Sequence, residues 1–196
     1  MEPIILASSS PRRQEILTKL SIPFRVIIPQ IDETIPDNAD PEATAELFAT
    51  KKVEAVMRTF PSGQMIPWIL GADTIVVSDG KIYGKPENQD EAVRFLKAFS
   101  GKEQTVLSAI ALFNGKLNYL STRINKTNLK FSKMNDKEIE WYVNTGEWHG
   151  AAGGYRIQGM ASCFIERIEG SYSSIIGLPI FEFYDILKEQ GYSILE

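Results

Sequence analysis

The 196-residue chain has one cysteine and one histidine, no run of apolar residues long enough for a membrane, and no surplus of positive charge. The lone Cys163 excludes an internal disulfide and fits a reducing compartment. His149 has no partner at metal-ligand spacing, so it reads as a loop residue and not as a zinc ligand or general base. Nothing approaches the roughly 18 uninterrupted apolar residues of a membrane span. The opening Met1-Glu2-Pro3-Ile4-Ile5-Leu6-Ala7 lacks a basic n-region and a long apolar h-region, so no signal peptide and a cytoplasmic location are expected. With 25 acidic against 21 basic residues and a formal net charge of −4, broad binding to nucleic acid or an anionic membrane is disfavoured. Any phosphate recognition must be local. Neither a Walker loop nor Gly-x-Gly-x-x-Gly occurs, which removes the P-loop and Rossmann dinucleotide sites.

What is present is an ordinary globular composition, 43% hydrophobic and 23% charged, enough for one domain over residues 1–196 with a real core. Strand and helix patterns alternate. Strands are expected at 4–7, 24–28, 68–77, 81–83, 106–113, 117–120, 127–132 and 163–168. Helices are expected at 11–20, 41–58, 89–99, 135–144 and 180–190, with Leu47, Phe48, Val53 and Val56 recurring at helical spacing on the second. Asp79-Gly80 and Asn114-Gly115 are hairpin turn signals. Hairpins among strand–helix alternations give α/β with a mixed twisted sheet and flanking helices. No repeat, low-complexity tract or flexible linker interrupts it.

The residue that fits its surroundings least is Asp73, in Trp68-Ile69-Leu70-Gly71-Ala72-Asp73-Thr74-Ile75-Val76-Val77. Asp is depleted in strands, and an unpaired buried carboxylate costs several kcal/mol or takes up a proton. Gly71 and Ala72 leave room for something to approach the backbone, so a site is expected there. In Leu6-Ala7-Ser8-Ser9-Ser10-Pro11-Arg12-Arg13, Ser10 suits an N-cap and Pro11 the first helical position, which places two arginines in the first turn. Cations there are disfavoured by about 0.3–1 kcal/mol each unless an anion shares the site. Two solvated arginines are the equally simple reading. Asp32-Glu33 after the second strand reads either as two solvated acids or as a hold on a hard cation such as Mg²⁺. Lys51-Lys52 on the long helix and Lys85, between Gly84 and Pro86, read as surface residues or as point charges for phosphate. Thr145 to Gly159 contains five glycines and displays Gln158 on a bend, where an amide can read a pyrimidine edge.

LASSSPRR, IDET, GADTIVV, GKP, TGEW, AGGYRIQG and GSYSSIIGLP occur in one order along nearly the whole chain. On these motifs the sequence resembles the Maf family of nucleoside triphosphate pyrophosphatases, linked to septum formation. The resemblance implies an α/β fold with two lobes around a cleft, similar to the inosine-triphosphate pyrophosphatases. It implies hydrolysis of dTTP and UTP, or of modified pyrimidine nucleotides, as house-cleaning with a link to cell-division arrest. Asp73 is then the catalytic proton acceptor. Ser8, Arg12, Arg13, Lys52 and Lys85 line the triphosphate site, Glu33 holds Mg²⁺ or Mn²⁺, and Arg12, Thr74 and Gln158 mark the dTTP/UTP branch. A homodimer is implied as well. The chain departs from many relatives at Gly150-Ala151, where an Asp-Lys pair is common, at Ser174 in place of Asn, and at Gln104 in place of His. Those departures bear on fine specificity and rate. Rival readings are a nucleotide-binding regulator of septum formation without turnover, and a sugar-nucleotide transferase.

Overall fold

Ile4-Ile5-Leu6-Ala7, buried on both faces, form β1 (Ile4–Ala7) in the computed structural model, which describes residues 1–36 and 38–195. Four consecutive buried residues are what a strand with a neighbour on each side requires. β1 pairs parallel with β2 (Phe24–Val26) on one side and with β3 (Ile69–Ser78) on the other, Leu6 opposite Val26 and Leu70. The crossovers are α1 (Pro11–Lys19) and α2 (Pro41–Met57). The second strand ends two residues short of the expected Ile28, which is 65% exposed and has no core to pack on.

α2 is started by Asp40, whose carboxylate accepts from the Ala43 amide at 3.0 Å. Its buried stripe is Thr44, Ala45, Phe48, Ala49, Lys52, Val53 and Val56. Leu47, counted with Phe48, Val53 and Val56 in the helical apolar spacing, lies outside that stripe and is 49% exposed. A lysine occupies an inward position instead, which matters below.

β3 turns through Asp79 and Gly80, both at positive φ, into the antiparallel β4 (Lys81–Tyr83). α3 (Gln89–Phe99), capped by Asn88, leads to β5 (Glu103–Asn114) and then β6 (Tyr119–Phe131). The two strands expected at 117–120 and 127–132 are one 13-residue strand. α4 (Asp136–Asn144) starts with a reciprocal capping box between Asn135 and Glu138. Two 3₁₀ turns follow, at Ala152–Gly154 and Met160–Phe164. β7 (Ile165–Glu169), α5 (Tyr172–Ile176) and α6 (Ile180–Glu189) complete the fold. The strand order is β2-β1-β3-β5-β6-β7, with β4 on β3, and β6 and β7 are antiparallel. The sheet is therefore mixed, as expected.

The chain divides into two compact units, neither continuous in sequence. Unit 1 is Met1–Asp73, Ser108–Asn125 and Gly177–Glu196; unit 2 is Thr74–Leu107 and Lys126–Ile176. β3, β5 and β6 each pass from one unit to the other. The core of unit 1 contains Leu6, Leu17, Phe48, Ile69, Leu70, Ile110, Leu112 and Phe183. The core of unit 2 is aromatic. Phe99 meets Tyr83 at 4.8 Å and Tyr155 at 6.1 Å between ring centroids, and Phe131 meets Tyr155 at 5.0 Å, all edge-on. Among the described residues, no helix is long and apolar enough to cross a membrane.

Candidate active site

Ser8 follows directly on β1, and Pro11 starts α1 two residues after Ser9, so the chain turns sharply there. Ser10 takes the N-cap position in extended conformation, but its side chain makes no cap bond. Ser8 does the local work: its buried Oγ accepts from the Ser10 amide at 3.1 Å and from Arg13 Nη1 at 3.0 Å. Arg13 Nε donates to the Gly177 carbonyl at 2.7 Å. Arg13 is thus not a solvated first-turn arginine; it is 8% exposed and held at two edges of its guanidinium. Burial pulls its pKa below the ordinary arginine value. Asp73 and Glu33 oppose that shift and Arg12 adds to it, so three neighbouring charges act on Arg13. Arginine stays charged under such a shift.

The two acids converge on Lys52. Its Nζ lies 2.5 Å from Asp73 Oδ1, 2.6 Å from Glu33 Oε1 and 3.3 Å from the Ala72 carbonyl. Lys52 and Asp73 are both buried, at 6% and 7% exposure. An ammonium with three acceptors has all three of its protons placed. The anomalous acid of β3 therefore has a partner, supplied by the inward stripe of α2.

Gly71 explains how α2 comes so close. A Cβ at Gly71 would fall 2.3 Å from the Ala49 carbonyl oxygen and 2.8 Å from Val53 Cγ2. The gap expected beside Asp73 is real, but the group that fills it is helix backbone and not a ligand. The charged set itself is drawn from the first turn of α1 (Arg12, Arg13), the loop before α2 (Glu33), the interior of α2 (Lys52) and the middle of β3 (Asp73).

Both carboxylates are oxygen donors of the hard kind that Mg²⁺ prefers, and they share one cationic neighbour. Among the described residues, no group of three or more His, Cys, Asp or Glu could enclose a metal. The donor set fits a divalent ion held jointly with substrate phosphates, not an all-protein cage. Asp32 stands apart. Its Oδ1 accepts from the hydroxyl and amide of Thr34 at 2.6 and 2.9 Å, a local turn that holds its pKa below the ordinary value.

Ser8, Arg13, Glu33, Lys52 and Asp73 come together in unit 1, with Arg12 in electrostatic reach. Thr74, next to Asp73 on β3, is the first residue of unit 2. Lys85 and Gln158 also belong to unit 2 and are exposed.

A profile for Maf-like proteins matches residues 3–190. The chain belongs to the Maf family. Two relatives named dTTP/UTP pyrophosphatase are similar over nearly all of it. The one from Hydrogenovibrio crunogenus is 41% identical over 189 residues, 96% of each chain. The one from Treponema denticola is 42% identical over 203 residues, 100% of each chain. The solved Staphylococcus aureus Ham1 protein shares the fold, with a TM-score of 0.51 at 13% identity over 96% of this chain and 100% of that one.

Within this Maf chain the departures fall in different places. Gln104 is buried at the start of β5 with neither amide atom bonded to protein, and Ser174 is fully buried in α5. Gly150 and Ala151 sit between α4 and the first 3₁₀ turn, where Gly150 has φ +66°. Three positioning groups were not legible in the sequence. The Gly177 carbonyl lies 164 residues from Arg13; GSYSSIIGLP marks its segment as a motif but not its use. Tyr142 and Glu147 hold the segment around Gln158; TGEW signalled a motif there but not its use.

Proposed function

We propose that this chain hydrolyses dTTP and UTP, and modified pyrimidine nucleotides of that kind, to the monophosphate and pyrophosphate. The observation that carries the reading is the buried Lys52–Asp73 pair, with the exposed Glu33 carboxylate on the same ammonium, beside Arg13 in a Maf chain. Water attacks the α-phosphorus, the bond from that phosphorus to the α,β-bridging oxygen breaks, and pyrophosphate leaves. Asp73 takes the proton of the attacking water. Lys52 already holds Oδ1, so Oδ2 is the atom that would take the proton. Arg12, Arg13, Lys52 and Lys85 offset charge on the triphosphate, where fixed donors in a dry site act more strongly than in water. Ser8 and the Gly177 carbonyl keep the Arg13 guanidinium in one orientation. Glu33, with Asp73, would hold Mg²⁺ or Mn²⁺, which when bound supplies charge neutralisation on the phosphates. Arg12, Thr74 and Gln158 select the base. The same reading puts the enzyme in the cytoplasm as a homodimer, with nucleoside triphosphate as its partner and neither nucleic acid nor membrane.

Asp73→Asn is the decisive test. Asn keeps the volume, and Lys52 retains Glu33 and the Ala72 carbonyl as acceptors. Pyrophosphate release should fall by about a thousandfold or more, as expected for loss of a positioned base together with its charge. The melting temperature should change little. Near wild-type turnover in this variant sinks the assignment. Saturable dTTP binding by the wild type without pyrophosphate release, under both Mg²⁺ and Mn²⁺, would instead favour the regulator.

A further inference from the structure

Gln158 is the exposed tip of a tight turn whose two sides are fastened to the end of α4 and to the turn that follows it. The Gly159 amide closes the turn on the Arg156 carbonyl at 3.1 Å, with Ile157 buried and Gln158 exposed between them. On the entering side, the Arg156 amide donates to the Tyr142 hydroxyl at 3.0 Å. On the leaving side, the Met160 amide donates to both oxygens of Glu147, at 2.9 and 3.1 Å. Burial pushes the Tyr142 phenol up, and the Glu147 charge and a hydrogen bond to Glu147 add to that, so the Tyr142 proton stays in place. Two anchors therefore span the turn: the Arg156 amide on the Tyr142 hydroxyl and the Met160 amide on the Glu147 carboxylate.

The Glu147 carboxylate is itself well fixed. Its own amide donates to Thr145 Oγ1 at 3.2 Å, and its neighbour Trp148 is buried, with Nε1 donating to the Val143 carbonyl at 3.1 Å. Gly159 leaves the space that the carboxylate uses. A Cβ there would lie 2.3–2.5 Å from Glu147 Oε2, Oε1 and Cδ. A side chain at 159 and the Glu147 carboxylate compete for one volume.

We propose that Glu147, supported by Tyr142 and by the absence of a side chain at Gly159, is a positioning residue that fixes the Gln158 amide and so sets discrimination among pyrimidine bases. It touches no reacting atom. The proposal rests on the reading of Gln158 as the base reader. An amide displays a donor and an acceptor in one plane, and a turn that swivels presents either to either edge. Holding the backbone on both sides of Gln158 removes that freedom at no cost to phosphate binding.

The test measures kcat and KM for dTTP, UTP, dCTP and CTP on the full chain and on Gln158→Ala, Glu147→Ala, Glu147→Gln and Gly159→Ala, with melting temperatures. In Glu147→Ala the ratio of kcat/KM for dTTP over dCTP should fall by about tenfold, the scale of a lost charge-assisted hydrogen bond. The fall should lie in KM for dTTP, with kcat nearly kept. Glu147→Gln retains an acceptor oxygen and should recover most of the ratio. Gly159→Ala should reproduce Glu147→Ala, and the double variant should be no worse than either single one. If Glu147→Ala does not fold, Gly159→Ala, which adds one methyl, carries the test. A wild-type ratio in Glu147→Ala and Gly159→Ala, alongside an altered ratio in Gln158→Ala, overturns this proposal alone. An unchanged ratio in Gln158→Ala overturns the base-reader assignment and this proposal with it.

Discussion

Adding one methyl at Gly71 should disable the site without touching any charged group. The Cβ would stand 2.3 Å from the Ala49 carbonyl oxygen, where ordinary contact begins near 3.4 Å, so α2 and β3 must part by roughly 1 Å. Ala49 is one turn before Lys52 on the same buried stripe, so the displacement reaches the ammonium. A Lys52–Asp73 contact of 2.5 Å lengthened by that amount passes the end of the hydrogen-bond range. Overpacking of this kind costs about 1–3 kcal/mol. At about 2–4 °C per kcal/mol for a chain of this size, the melting temperature of Gly71→Ala should drop by about 2–12 °C. Misplacement of a catalytic group by ~1 Å costs up to about 100-fold in rate. Gly115→Ala is the control. Its Cβ would fall 1.6 Å from the Ile66 carbonyl oxygen, a worse clash, but at the β5–β6 connection and away from Lys52. Calorimetry and pyrophosphate release, with rates scaled to the folded fraction, separate the two. Gly71→Ala should lose both stability and kcat, and Gly115→Ala only stability. Full kcat in Gly71→Ala, or equal loss in both, would refute the idea that helix proximity at Gly71 sets the Lys52–Asp73 geometry.

Arg13→Lys should be far from conservative, because lysine cannot donate to the Gly177 carbonyl and Ser8 Oγ in the same fork. The expected loss is about 1.5–3 kcal/mol by urea denaturation, the range for hydrogen bonds to charged groups, and unchanged stability would show that the fork is dispensable. Glu189 supplies a pH test. Ser121 first, then Arg123, hold its carboxyl below the ordinary value of 4.5. A depressed pKa in the folded state stabilises fully above 4.5 and is lost as pH falls through the folded value. Glu189→Gln should therefore melt below the wild type at neutral pH, and the gap should close in acid. A gap that does not narrow as the pH is lowered below 4.5 would argue against this linkage.

Strongly patterned elements were legible. β1 declares itself by four apolar residues, α2 by its Asp40 and Pro41 start, and the β3–β4 hairpin by Asp79-Gly80. The pattern failed where solvent reaches a strand. Ser121-Thr122-Arg123-Ile124-Asn125-Lys126 reads as a break, yet it is the half-exposed middle of β6, paired through its backbone. α5 was missed because Ser-rich turns carry no helical stripe. In the site, residue types were readable but pairings were not. Lys52 occupies an apolar register that a period count assigns to core packing, and only its contacts with Asp73, Glu33 and the Ala72 carbonyl show why a lysine is there. Asp73 could be read as needing a partner, with the cations at the start of α1, on α2 and at Lys85 as candidates, but which of them pairs with it could not be read.

The Arg13–Gly177 bond has a consequence for biosynthesis. Ser8, Arg12, Arg13, Glu33, Lys52 and Asp73 all leave the ribosome within the first 73 residues, but the carbonyl that orients Arg13 arrives more than a hundred residues later. At about 5–20 residues per second, that interval lasts many seconds. Throughout it, a nascent chain carries the whole charged set without the acceptor that fixes its buried guanidinium. Synthesis of the Gly177 segment, not of the first 73 residues, therefore supplies the contact that fixes Arg13.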